Sequence, residues 1–190
     1  AMRMMDDIID LELEKIELII NKIAADPEDE DIRRVELELW KKIRTMARKG
    51  RRTGLGITAE GDMLAALGLR YGTPEATAFA VKVQKTLALE AYRASVKMAA
   101  ERGAFEIFDA RKEEKNPMIG RIREADPELY AEMVKHGRRN IAMLTIAPTG
   151  TTSLMSQTTS GIEPVFRPVY KRRRKINPSD HDTHVDYEDE

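Results

Sequence analysis

Arg139-Asn140-Ile141-Ala142-Met143-Leu144-Thr145-Ile146-Ala147-Pro148-Thr149-Gly150-Thr151-Thr152-Ser153 is the stretch on which the fold turns. Its first half is a short, nearly continuous apolar run bounded by Arg139 and Pro148, which predicts a strand over 140–147 buried on both faces, as in a parallel sheet. Its second half is a Gly-containing turn that feeds a helix through Leu154, Met155 and Gln157. A strand, a turn and a helix in that order leave the first helical N–H groups unpaired, with the positive end of the helix dipole behind them. Three threonines and a serine add hydroxyl groups, and Gly150 lets an anion approach the backbone. On chemistry alone two readings stay open, a hydroxyl-rich helix cap and a cradle for phosphate. The stretch has neither the lysine of a P-loop nor the spacing of a dinucleotide fingerprint to decide between them.

Outward from that stretch the chain is mostly helical. Ile9, Leu13, Ile16, Ile20 and Ile23 recur at three- and four-residue steps and predict a first helix ending near Ala25. A second is expected from Asp26 as cap and Pro27 as first residue through Ile32, Val35, Leu39, Ile43 and Met46, stopped by Gly50. Thr73-Pro74-Glu75 opens a long helix that Gly103 closes, and Asp126-Pro127-Glu128 opens one closed by Gly137. Thr53 to Thr58 is too rich in glycine for a helix and reads as a strand or tight loop leading into a short helix with Met63, Leu64 and Leu67. A last strand is expected within 165–176, with Pro168 demoting part of it to an edge or bulge. The segment 109–116 reads as loop. Strands separated by helices imply parallel pairing, yet two or three strands make a very small sheet. The fold class is therefore α/β, helix-dominated, and part of a larger architecture: one domain over 1–176, then a polar acidic tail over 177–190.

The 190 residues carry 32 Lys and Arg against 33 Asp and Glu, so no overall field draws in nucleic acid or an anionic membrane. No run approaches the roughly 18 apolar residues of a membrane span, and the N-terminus lacks a signal peptide's apolar stretch, so the cytoplasm is the expected address. The absence of cysteine rules out disulfides, thiolate metal sites and thiol or thiyl chemistry by this chain's own residues.

The quoted stretch, followed by Ser160-Gly161-Ile162-Glu163-Pro164, resembles a segment of ribonucleotide reductase large subunits. Met4-Met5-Asp6-Asp7-Ile8-Ile9-Asp10, Gly54-Leu55-Gly56-Ile57 with Asp62-Met63-Leu64, and Ala100-Glu101-Arg102-Gly103-Ala104-Phe105 are similar to family segments in the family's order. Pro148-Thr149-Gly150-Thr151 resembles the adenosylcobalamin-dependent branch, as does Tyr170-Lys171-Arg172-Arg173-Arg174-Lys175-Ile176-Asn177-Pro178. The resemblance implies a fragment of the ten-stranded α/β barrel of a catalytic subunit that reduces ribonucleotides by a thiyl radical. It implies that Thr149, Gly150, Thr151, Thr152 and Ser153 hold substrate phosphates, with Pro148 and Glu163 in a loop near the active site. Without cysteine the chain is expected to be inactive alone and to bind no cofactor itself, adenosylcobalamin serving the parent enzyme. Its partners would be a ribonucleotide, the remainder of the barrel, and a second copy of itself through open edges and apolar patches. The rival readings are a free-standing nucleotide- or anion-binding module and a helical interaction domain.

The other candidates have plainer readings. His181 and His184 with Asp180, Asp182 and Asp186 contain metal-ligand types, but a polar run near a chain end is usually solvated. Basic clusters at 48–52 and 135–139 suit helix C-termini, and the one at 171–175 lacks interleaved aromatics for nucleic acid. Asp6, Asp7 and Asp10 are expected on a solvated helix face. Trp40 and the helically spaced methionines are expected in the core.

Overall fold

A computed structural model describes residues 1–175 and 184–189, with backbone alone at 170, 172–175 and 184–189. The chain forms two compact units, 1–56 with 79–145 and 57–78 with 146–190, where the sequence predicts one domain over 1–176. In the first unit, α1 (Met2–Ala24) buries Met2, Ile9, Ile16, Ile20 and Ile23 along one stripe, as its periodicity requires. α2 (Glu30–Gly50) starts three residues later than predicted, because Asp29 rather than Asp26 caps it, accepting from the Asp31 N–H at 2.9 Å. Asp26 closes a local turn instead, accepting from the Glu28 N–H.

α3 (Glu60–Ala66), α4 (Pro74–Arg102) and α7 (Pro127–His136) fall where the sequence puts them. The expected loop at 109–116 contains a single helical turn, α5 (Ala110–Glu113), capped by Asp109. α6 (Pro117–Ala125) is outside the sequence reading, although Asn116-Pro117 repeats the cap-then-proline start, with Asn116 accepting from the Met118 N–H at 2.9 Å. α8 (Gly150–Ser156) follows the quoted stretch. β1 (Tyr170–Lys175) begins after Pro168 and pairs antiparallel with β2 (His184–Asp189), Lys175 opposite His184. Part of the expected acidic tail is therefore a strand. The rest of that tail, with Asp180, His181 and Asp182, lies outside the described residues.

The strand predicted at 140–147 does not form. Residues 141–145 run extended beside 50–55, joined by Ile141 N–H to Gly50 O, Thr53 N–H to Ala142 O, Leu55 N–H to Met143 O and Thr145 N–H to Leu55 O at 2.7–2.9 Å. Only Leu55 and Leu144 complete a bridge, and it is parallel, as expected. Burial on both faces is not met either, since Met143 is buried while Ile146 is 66% exposed. A parallel strand gains its ladder and its burial from neighbours on both edges and layers on both faces, and one neighbouring segment supplies neither in full. The core of this unit gathers Met2, Tyr92, Val96, Met98, Ile119, Ile122, Leu129, Met133 and Met143. Trp40, expected in that core, is only half-buried.

A buried polar network joins these elements. Asp6, expected on a solvated face, has 0% exposure. Its carboxylate accepts from Arg51 Nε at 2.8 Å, Asn140 Nδ2 at 3.0 Å, Arg139 Nε at 3.2 Å and Arg102 Nη1 at 3.4 Å. Arg51 also donates to the Asp6 carbonyl and to Asp10. Asn140 continues the network, giving its second amide hydrogen to Arg51 O and accepting from Ser95 Oγ on α4. Arg51 caps α2 in the left-handed region at φ 46°, a conformation disfavoured for a residue with a Cβ, and these bonds hold it there. Nearby, Arg138 pairs with Glu113 and stacks 5.6–5.8 Å from the rings of Tyr92, Phe105 and Phe108. From the two basic clusters at helix ends, Arg51, Arg138 and Arg139 thus turn inward as partners of carboxylates and rings, while Arg48, Arg52 and Lys135 are exposed.

Burial pushes the Asp6 carboxyl up, but hydrogen bonds from Arg51 and Arg139 outweigh it and hold the group below the usual carboxylate range. Its stabilisation is therefore complete above its unfolded value of about 3.9 and is lost as pH falls through the lower folded value. Asp6→Asn removes the buried charge shared by Arg51, Arg102 and Arg139 and leaves Arg51 only Asp10 as a carboxylate partner, and we expect it to remove about 3–5 kcal/mol in urea unfolding at neutral pH. Below about pH 4 the variant and the parent sequence should converge, because Asn has no proton to gain there. A gap unchanged down to pH 2 would show that Asp6 contributes no charge to the fold.

Candidate functional site

The site predicted at 148–153 lies in the second unit, and its geometry separates the residues by where their hydroxyls go. Thr149 caps α8 in the left-handed region (φ 51°) and makes no side-chain cap bond. Its Oγ1 accepts from the Gly161 N–H at 2.7 Å and lies 3.0 Å from Thr58 Oγ1, which donates to the Thr159 carbonyl at 3.2 Å. Because Thr58 has one hydroxyl hydrogen and Thr159 O takes it, Thr149 must be the donor between the two threonines. The chain then runs one way, from the Gly161 amide through Thr149 and Thr58 to the Thr159 carbonyl. Ser153 is buried and donates to Gly150 O at 2.7 Å. Two of the four hydroxyls are thus used to hold the loop in shape.

Gly150, Thr151 and Thr152 are exposed. Helix geometry leaves their amides without intrahelical acceptors, the first such bond of α8 being Ser153 N–H to Thr149 O at 2.8 Å. The arrangement offers outward N–H groups and two outward hydroxyls on a base fixed by inward ones, which suits an anion with several acceptor oxygens. Pro148 and Glu163 are also exposed. Glu163 lies on the turn after Gly161, its carboxylate oxygen filling the space a Cβ on Gly161 would need.

The start of α3 clamps this turn, a contribution the sequence reading does not assign. Asp62 Oδ2 accepts from the Thr159 N–H at 2.8 Å, and the Glu60 N–H donates to Gly161 O. Gly61 packs so closely that a Cβ there would sit 2.6 Å from Glu163 O and 2.7 Å from Pro164 Cα. The Thr159 hydroxyl is buried without a hydrogen-bond partner, a local cost that the surrounding turn carries. A cavity of about 400 Å³ opens beside the clamp, with Asp62, Arg70, Tyr71 and Pro164 in its lining. The only sequence signal for the clamp is the small residue at 61 beside an acidic one, too common a pair to read.

The acidic cluster of α1 is not a site of this kind. Oxygens of Asp6, Asp7 and Asp10 lie within 4.8 Å of one another, but the Asp6 carboxylate is surrounded by Arg51, Arg102 and Arg139, which leaves little for a cation. The side chain of His184 is not described, and His136 lies 3.3 Å from Glu132 on the same helix. Among the described residues no helix is long and apolar enough to cross a membrane.

Comparison with known proteins adds to this geometry. The family described as ribonucleotide reductase, barrel domain, matches residues 3–181. The chain is similar to the vitamin B12-dependent ribonucleoside-diphosphate reductase of Mycobacterium tuberculosis, 36% identical over 127 residues, which is 66% of this chain and 16% of that protein. It is 33% identical over 142 residues, 75% of this chain, to the protein of the same description from Thermoplasma acidophilum. It is also 30% identical over 134 residues to the ribonucleoside-diphosphate reductase subunit alpha of Treponema pallidum. The matches span 15–16% of the length of these relatives.

The clamp can be tested by filling the contact at Gly61. Gly61→Ala is expected to displace 161–164 and to cost about 1–3 kcal/mol, since the obstacle is backbone and cannot rotate aside. Thermal unfolding measures the loss, and amide shifts at Thr159 and Gly161 report the displacement; an unchanged spectrum there would remove the clamp from the account.

Proposed function

The chain belongs to the ribonucleotide reductase barrel family, and from that premise we propose that it is part of a catalytic subunit whose substrate-phosphate loop is 148–153. The observation that carries this is the division of hydroxyls at α8. Thr149 and Ser153 bond inward, while Gly150, Thr151 and Thr152 are exposed residues whose amides have no intrahelical acceptor. Main-chain amides at a helix start bind phosphate oxygens without any lysine, because each N–H is a directed donor and the helix dipole favours the negative charge. Thr149 and Ser153 then act as positioning residues, and Glu163 stands on the adjoining turn near the substrate. The rest of the ten-stranded barrel would supply the neighbours that 141–145 lacks.

Reduction of a ribonucleotide by a thiyl radical needs cysteines, and the chain has none. Turnover therefore belongs to other parts of the parent enzyme, and this chain alone is expected to be inactive. Pro148-Thr149-Gly150-Thr151 and the vitamin B12-dependent relatives favour adenosylcobalamin as the parent's radical-generating cofactor. We assign the holding of that cofactor to other parts of the parent enzyme. The remaining partners are the ribonucleotide and a second copy of the chain, and the setting is the cytoplasm.

Titration of the isotope-labelled chain with a ribonucleoside diphosphate is expected to shift the amides of Gly150, Thr151 and Thr152, while the unphosphorylated nucleoside leaves them in place. Thr151→Val with Thr152→Val should weaken binding about 10-fold or more, the effect of losing hydrogen bonds to a charged group worth about 1.5–3 kcal/mol each. Shifts confined to other parts of the chain, or equal shifts with the nucleoside, would refute a phosphate loop at this place.

A further inference from the structure

α2 carries an apolar stripe that α1 does not cover. Ile32, Val35, Leu39 and Met46 are 53%, 62%, 54% and 64% exposed, and Ile43 is half-buried at the edge of the same stripe. Counted from Leu39, these residues fall seven and four positions before it and four and seven after it. At about 100° per residue they lie within roughly 40° of Leu39 on the helix surface. The pattern reads identically in both directions. Such a palindrome is what a two-fold antiparallel contact between identical helices requires: Leu39 meets its own copy, Ile32 meets Met46, and Val35 meets Ile43.

The charges beside the stripe select the same arrangement. Along one flank, Asp31 and Glu38 lie toward the N-terminus and Lys42 and Lys49 toward the C-terminus, each roughly 60–100° from Leu39. Reversing the partner helix brings Glu38 toward Lys42 and Asp31, which also holds Arg34, toward Lys49. A parallel pair would put this flank and its copy on opposite sides of the contact, so Glu38 and Lys42 would not meet across it. The exposed apolar residues of α1, Met4, Ile8, Leu11 and Leu18, have this symmetry only in part, Met4 and Leu18 standing seven before and seven after Leu11. Reversal about Leu11 sets Ile8 against Glu14, and Lys15 interrupts the row.

We propose that this face of α2 is a self-association surface, on which a second copy of the chain docks its own α2 antiparallel with Leu39 on the two-fold axis. The proposal rests on the self-association reading given above and gives it a location. Its energy is apolar burial along about 20 Å of helix, and the flanking charges set direction rather than affinity.

The lack of native cysteine makes single-cysteine cross-linking decisive. Under mild oxidation Leu39→Cys is expected to give a disulfide-linked dimer, because the two-fold places residue 39 beside its copy within the short range a disulfide spans. Ile32→Cys and Met46→Cys should each stay largely unlinked alone and link to one another when mixed. Leu39→Lys, with its helical content checked by circular dichroism, should weaken the dimer at least 10-fold in sedimentation. A dimer in which Leu39→Cys fails to link, or in which Ile32→Cys links to itself as readily, overturns the α2 geometry and leaves self-association standing. A monomer at all concentrations overturns both and assigns the face to the remainder of the barrel.

Discussion

The buried Asp6 carboxylate is the point on which the first unit depends. It lies on α1, takes hydrogen bonds from Arg51 at the end of α2, Arg102 at the end of α4 and Arg139 before the extended segment, and accepts also from Asn140. A buried ion pair gains little net energy over an apolar contact, since desolvation consumes most of the attraction. What it supplies is geometry. Only one arrangement of three helix ends and the 139–141 backbone satisfies the carboxylate, the Asn140 amide and the Ser95 hydroxyl together. The left-handed Arg51 follows from this, because its guanidinium must reach both Asp6 and Asp10 while its N–H closes α2 on Ala47 O.

The second unit uses the same economy on a smaller scale, with neutral groups. Its loop is shaped by a directed row of hydrogen bonds from the Gly161 amide to the Thr159 carbonyl through Thr149 and Thr58. A hydroxyl can donate once and accept as well, so a threonine used in such a row is lost to a ligand but fixes the groups beside it. Preorganised donors bind an anion more tightly than mobile ones because their ordering cost is met on folding. On the function proposed above, the inward bonds of Thr149 and Ser153 would preorganise the amides of 150–152.

If 141–145 is a strand of the proposed barrel, it is built for neighbours on both sides and meets one, and a single bridge stands where a ladder is expected. The α2 stripe is a different kind of exposure: it is regular, symmetric and flanked by ordered charges, whereas the exposure at 146 marks an interrupted sheet.

Sequence alone placed α1, α3, α4, α7 and α8 of this protein, because caps, prolines, glycines and three- and four-residue apolar steps act within a few residues of one another. The starts of α4 and α7, the ends at Gly103 and Gly137, and the turn before α8 follow from such local chemistry. α6 goes unread although Asn116-Pro117 carries the same cap-then-proline start, because its short apolar pattern does not stand out. Tertiary structure decided which polar residues are buried and which hydroxyls face outward. Asp6 looks like Asp7 and Asp10 in sequence, and Thr149 looks like Thr151 and Thr152. Their fates differ because Arg51, Arg139 and Asn140 in one case, and Thr58 and Gly161 in the other, arrive from distant positions that no local pattern encodes. The strand at 140–147 failed for the same reason in reverse: its own residues favour it, but a ladder is made by partners, and partners are decided only in three dimensions.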